Sequence, residues 1–142
     1  MATLFDDIYD VFLMKISDYS FLNSTEVELE EDFLKYLRSA CVNFRQSEVD
    51  LFQVFNLDLM QFDVDLSQYE IEILATLMII EYLTPHIVSS ENLRQMIGNR
   101  EFKFHSQANL LSELQKLRKM FRLEATQLIS EYTYARGLER LE

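Results

Sequence analysis

The side chains able to do chemistry are few and scattered. The chain has two histidines, His86 and His105, and one cysteine, Cys41. A thiol nucleophile needs a base or a cation beside it, and no spacing here provides one, so a Cys41–histidine pair would have to be made by the fold. Cys41 falls on the apolar side of a helical pattern and reads as a small core residue. His86 follows Pro85 at a helix break, and His105 precedes Ser106, a favoured type at a helix N-cap. Both read as polar boundary residues and not as ligands. A single cysteine excludes an internal disulfide and any CxxC zinc site, and it fits a reducing compartment. Gly98 and Gly137 stand alone, so no glycine-rich phosphate loop is present.

Two acidic clusters could be read as metal or catalytic sites. Glu26, Glu28, Glu30 and Glu31 crowd the first turns of a helical pattern, where the helix dipole favours negative charge, so they need no chemistry to explain them. Asp58, Asp63 and Asp65 lie among large apolar residues and lack the glycine and closing glutamate of a calcium loop. No catalytic residue, metal or cofactor is expected. The chain reads as a binding or structural protein, not an enzyme.

The elements that must position these residues follow from apolar periodicity. Residues 3–16 carry Leu4, Phe5, Ile8, Val11 and Phe12 at helical spacing, with Leu13 and Met14 outside the stripe. Residues 25–44 open with Thr25 and Glu28 spaced as a capping box, and Leu29, Phe33, Leu37, Ala40, Cys41 and Phe44 make one face. Residues 47–66 partly alternate and fit a long irregular loop or a short hairpin. Ser67 and Glu70 form a second capping box, opening a helix that is apolar nearly all round, as a central packed helix is. Pro85 is expected to kink or end it, with a short helix over residues 90–97 closed by Gly98. In the last helix, residues 106–136, Leu110, Leu114, Leu117, Phe121, Ala125, Leu128 and Tyr132 share a narrow sector, with Leu111 and Ile129 at its edge. At ~1.5 Å per residue it is about 45 Å long, more than a small domain spans. Met120 and Leu123 lie off the stripe beside Lys116 and Lys119, which fits either an ordinary exposed leucine or a subunit contact.

The fold class expected is therefore all-α. It is a single-domain bundle over residues 1–142 with about four main helices, the loop or hairpin at 47–66 and a long C-terminal helix. With 142 residues, 49% of them hydrophobic, two glycines and one proline, a sandwich or barrel is disfavoured. No basic leader follows Met1, and the longest apolar run, residues 73–80 between Glu72 and Glu81, is far short of the ~20 residues of a bilayer span. The expectation is a soluble intracellular chain without a membrane role. Charge is uneven: residues 1–72 hold 16 acidic and 4 basic side chains, residues 73–142 hold 8 and 9. The acidic half would repel a DNA backbone. An acidic helical protein of this kind could be a DNA mimic that inhibits a nucleic-acid enzyme, or one subunit of a larger assembly.

Five segments in order, "ISDYSF" (16–21), "EEDFLKYLRSA" (30–40), "VDLSQYEIEILATLMIIEYLTPHI" (64–87), "FKFHSQANLLSELQKLRK" (102–119) and "LISEYTYARG" (128–137), together resemble the head–tail connector, or adaptor, proteins of tailed bacteriophages. The resemblance implies a helical subunit without enzymatic activity that forms a ring below the portal, extends the DNA channel and docks the next neck or tail protein. Its place would be the neck of the virion, after synthesis in the host cytoplasm. The partners implied are the portal protein, neighbouring copies of the chain and the downstream neck protein, with DNA only as passing cargo. Such adaptors use an extended C-terminal segment against the portal, here from about residue 132. Tyr132 and Tyr134 would supply contact area, and Arg136 and Arg140 charge pairing; Met120 and Leu123 complete the candidate portal or subunit contact. The resemblance also gives the acidic half a use, since negative walls let DNA pass without sticking.

Overall fold

The computed structural model describes residues 2–17, 30–97 and 106–141. Four helices carry the fold: α1 (Phe5–Ser17), α2 (Glu30–Asn43), α3 (Gln68–Ile97) and α4 (Ser106–Leu141). Three two-residue strands, β1 (Thr3–Leu4), β2 (Phe55–Asn56) and β3 (Gln61–Phe62), form an antiparallel sheet in the order β1-β3-β2. The expected capping box at Thr25 and Glu28, the cap at Gly98, and Phe102, Phe104 and His105 lie outside the described residues.

Helix α1 buries Phe5, Ile8, Tyr9, Phe12 and Ile16. It starts two residues later than periodicity predicts, because Thr3 and Leu4 are drawn into the sheet, pairing with Phe62 and Gln61. Leu4 consequently leaves the expected stripe and is exposed, as Leu13 and Met14 are. The Thr3 hydroxyl donates to the Val64 carbonyl at 3.0 Å and accepts from the Leu66 N–H at 2.8 Å. This pins the N-terminal strand to the chain just ahead of α3. Residues 47–66 contain the hairpin: Phe55 faces Phe62 and Asn56 faces Gln61 across the β2–β3 register. Phe5, Phe55 and Phe62 form a ring cluster with centroids 4.7, 5.2 and 5.6 Å apart, geometry that favours tilted and edge-on pairs.

The capping box opening α3 is formed reciprocally. The Glu70 N–H donates to the Ser67 hydroxyl at 3.2 Å, and the Ser67 N–H donates to the Glu70 carboxylate at 2.9 Å. Helix α3 packs against α1, α2 and α4, and buries Ile73, Leu74, Ala75, Met78, Ile79, Tyr82, Leu83 and Ile87 among others. Its apolar run between Glu72 and Glu81 is short. Carboxylates included, however, Gln68–Asn92 is long and apolar enough to cross a membrane by length and composition, and 61% of its most apolar window is buried inside the protein. Those faces are occupied by the neighbouring helices.

The expected break at Pro85 is absent, and residues 90–97 continue α3 instead of forming a separate helix. Proline costs about 3 kcal/mol inside a helix because one backbone bond is lost and the ring crowds the preceding turn. Tyr82, Leu83 and Ile87, all at most 1% exposed, flank it on the core side. At about 1.5–3 kcal/mol each, their burial outweighs that cost. Helix α4 runs antiparallel along α3: Gln115 bonds Glu91 at one end and Tyr132 bonds Glu70 at the other. It buries Leu111, Leu114, Leu117, Phe121, Ala125 and Tyr132. The sector is as expected except at its start, where Leu111 is buried and Leu110 is 39% exposed. The helix also passes Gly137 to reach Leu141, about 54 Å in all.

Candidate assembly surface

Helix α4 has a second apolar stripe opposite the buried one. Met120 (42% exposed), Leu123 (64%), Tyr134 (69%) and Leu138 (46%) fall within about 60° of one another at 100° per residue. Gln127 and Ser130 fill the middle of the stripe, and both are exposed. Lys116 lies on the same line, with an exposed bridge to Glu113 at 3.6 Å, and Lys119 is beside it. Three of the expected contact residues, Met120, Leu123 and Tyr134, are therefore together on one open face. Leu138 belongs with them and was recognisable from the same periodicity.

Tyr132 and Arg136 are placed differently. Tyr132 is buried, and its ring lies edge-on to Phe44 at 5.4 Å. Its hydroxyl accepts from the Glu48 N–H at 2.9 Å and donates to the Glu70 carboxylate at 3.1 Å. Burial, with a smaller effect of the Glu70 charge, holds its pKa above the usual tyrosine value. The Arg136 guanidinium sits 5.5 Å from the Tyr132 ring centroid and donates to the Gln46 carbonyl at 2.6 Å, with the Glu48 carboxylate 3.8 Å from its Nε. Both side chains bind α4 to the segment after α2, and Tyr132 also binds it to the start of α3. Of the expected portal or subunit contact residues, Tyr132 and Arg136 are thus engaged within the fold of the single chain, Tyr132 because its stripe carries it into the core. Arg140 lies in the last turn of α4, and its side chain is outside the described residues. A cleft of 390 Å³ beside this junction is lined by Glu48, Tyr69, Glu70, Glu131, Tyr132 and Arg136 among others; Tyr69 donates to Glu131 across it at 2.6 Å.

Elsewhere the polar groups serve the fold. Burial pushes the Cys41 thiol up to about 12, which opposes thiolate formation. The His86 ring lies 5.0 Å from Tyr82, and burial lowers its pKa. Asp63 accepts from the Asn56 and Gln61 amides at 3.2 and 2.9 Å, bracing the hairpin. Among the described residues no three His, Cys, Asp or Glu side chains gather to hold a metal ion. Lys15 bridges three helices through Glu72 at 3.2 Å and Glu124 at 3.0 Å. Burial acts to lower its pKa, but the bonds and charges of Glu124 and Glu72 together outweigh it and the net direction is up.

One exposed group went unread in the sequence. Phe52 (55% exposed), Leu57 (48%) and Leu59 (62%) project from the hairpin region. Alternation predicts that half of such residues face out, but only the turn geometry shows which. Met60, at φ 51°, adopts a left-handed conformation and turns inward while Leu57 and Leu59 stay outside. Compared with protein-family models, with curated proteins and with solved structures, the chain matches none.

Proposed function

We propose that the chain is a structural subunit of the head–tail connector of a tailed bacteriophage. It assembles as a ring below the portal, extends the DNA channel and receives the next neck or tail protein. It carries no reaction of its own and acts in the neck of the virion. The five ordered segments that resemble the adaptor family support the reading, and the observation that carries it is the exposed stripe Met120, Leu123, Tyr134 and Leu138 on α4. Exposed apolar residues gathered on one face mark contact surfaces; here two pairs, Met120 with Leu123 and Tyr134 with Leu138, flank the polar Gln127 and Ser130 on a helix of about 54 Å. With Tyr132 and Arg136 engaged inside the fold, the portal contact is assigned to Tyr134, Leu138 and the helix end that carries Arg140, and the subunit contact to Met120 and Leu123.

Native mass spectrometry of the chain with and without the portal of the same virus tests this. A ring-sized set of copies bound to the portal is expected, and Tyr134→Asp should weaken binding at least tenfold while the helical circular dichroism is unchanged. A chain that never binds portal, and instead forms a one-to-one complex with a nucleic-acid enzyme, would replace this reading with that of an acidic inhibitor.

A further inference from the structure

Two exposed apolar patches carry opposite charge and lie apart. The first is the hairpin, where Phe52, Leu57 and Leu59 stand among Asp50, Asp58, Asp63 and Asp65, all exposed. Residues 46–93 contain no lysine or arginine to offset them. The second is on α4, where Met120 and Leu123 share their face with Lys116 and Lys119, Lys116 being bridged to Glu113; Arg118 and Arg122 of the same carboxylate-free stretch, residues 114–123, turn about 100° or more away from Leu123. In a chain of net charge −11, this is a local reversal of sign. The hairpin is tied to the N-terminal end of α3 by Thr3, while Gln115 of α4 bonds Glu91 near the other end. The two anchors, near opposite ends of the helix, stand about 35 Å apart along α3, which sets the hairpin base away from the α4 patch of the same copy.

The hairpin tip is also braced. The Leu59 N–H donates to the Asn56 side chain at 3.0 Å, the Met60 N–H to the Leu57 carbonyl at 3.3 Å, and the Phe5 N–H to the Met60 carbonyl at 3.0 Å. A left-handed, non-glycine Met60 is a strained position, and such positions persist where the surroundings fix them. A slack loop could fold its leucines down onto the core; this one holds them in water, ready for a partner at little ordering cost.

We propose that the Leu57–Leu59 tip of one copy docks on the Lys116–Leu123 stretch of α4 in the next copy. The aspartates meet the cations around a small apolar centre. The contact rests on the reading of α4 as an assembly surface and names what covers its basic half. It is heterologous, with a different patch from each copy, so repetition gives a closed ring or an open filament according to its rotation. Opposite charges steer such an encounter and fix its register.

Two variants test it, one blocking each patch: Leu59→Asp in the hairpin and Leu123→Asp in α4. Sedimentation velocity of the wild type at about 0.5 mM, which populates contacts of millimolar dissociation constant, should show association that weakens with salt. Each variant alone should be monomeric with wild-type circular dichroism. Their mixture should give dimers and nothing larger, because it retains one intact hairpin and one intact α4 that can meet once. A mixture that stays monomeric while the wild type associates overturns the pairing, as does a wild type that is monomeric throughout. Neither result bears on portal binding, which the mass-spectrometric experiment reads separately. A wild type that shifts duplex DNA, when Lys119→Glu does not, would assign the basic stretch to phosphate and also overturn the proposal.

Discussion

Lys15 is a single cation holding α1 to both α3 and α4, and its value depends on its charge. Its folded pKa lies above the ordinary 10.5, so the linkage stabilises the fold below 10.5 and is lost as pH rises through the folded value. Lys15→Met should be less stable than the wild type at pH 8, by about 1 kcal/mol or less because the group is partly exposed. Urea melts should show that gap closing as pH is raised beyond 10.5. A gap unchanged at high pH would mean that the aliphatic stem, not the ammonium, does the holding. At this scale the sequence is legible where a residue's role follows from its place on a stripe, as for Leu37, Phe121 and Ala125. Lys15 and Arg136 are illegible, since their partners, Glu72, Glu124 and Gln46, are brought near only by tertiary packing.

Among the elements, α3 shows how packing overrides a local signal. Pro85 reads as a kink or an end because its own geometry opposes a helix, yet the helix continues past it, with Tyr82, Leu83 and Ile87 buried on either side. Pro85→Ala should therefore stabilise the protein, by up to about 3 kcal/mol, raising the thermal midpoint in calorimetry. A destabilised variant would show that the proline ring itself is packed against something. The four helices were readable from apolar spacing and the Ser67–Glu70 box, and so was a hairpin within 47–66. Strand β1 was not. Two residues that pair with a strand some sixty positions later leave no local pattern, and Thr3 and Leu4 look equally like the first turn of a helix. The exchange of Leu110 for Leu111 has a similar cause. Both fit the same stripe, and the position of α3 chooses between them.

For the molecule as a whole, the excess of negative charge opposes compaction, because 16 of the 24 carboxylates belong to the first 72 residues. Added salt screens this repulsion over about 8 Å at physiological strength. The thermal midpoint should rise between 10 and about 150 mM sodium chloride, the reverse of what a fold held by surface ion pairs would do; a fall would mean that bridges such as those of Lys15 outweigh the net repulsion. In the connector reading the same carboxylates have a second task if part of this surface lines the channel. A ring structure in which all of them faced outward would remove it.

The order in which α3 acquires its neighbours has a consequence for how the protein is made. Helix α3 leaves the ribosome well before α4, and its Gln68–Asn92 stretch has the hydropathy of a membrane span. At 5–20 residues per second, the 36 residues of α4 take about 2 to 7 s to synthesise. Through that interval the side of α3 that will receive Leu114, Phe121 and Tyr132 is bare. The last helix is thus the chain's own chaperone. A polypeptide that stopped before it would present the cell with something closer to an unsheltered membrane segment than to a subunit awaiting assembly.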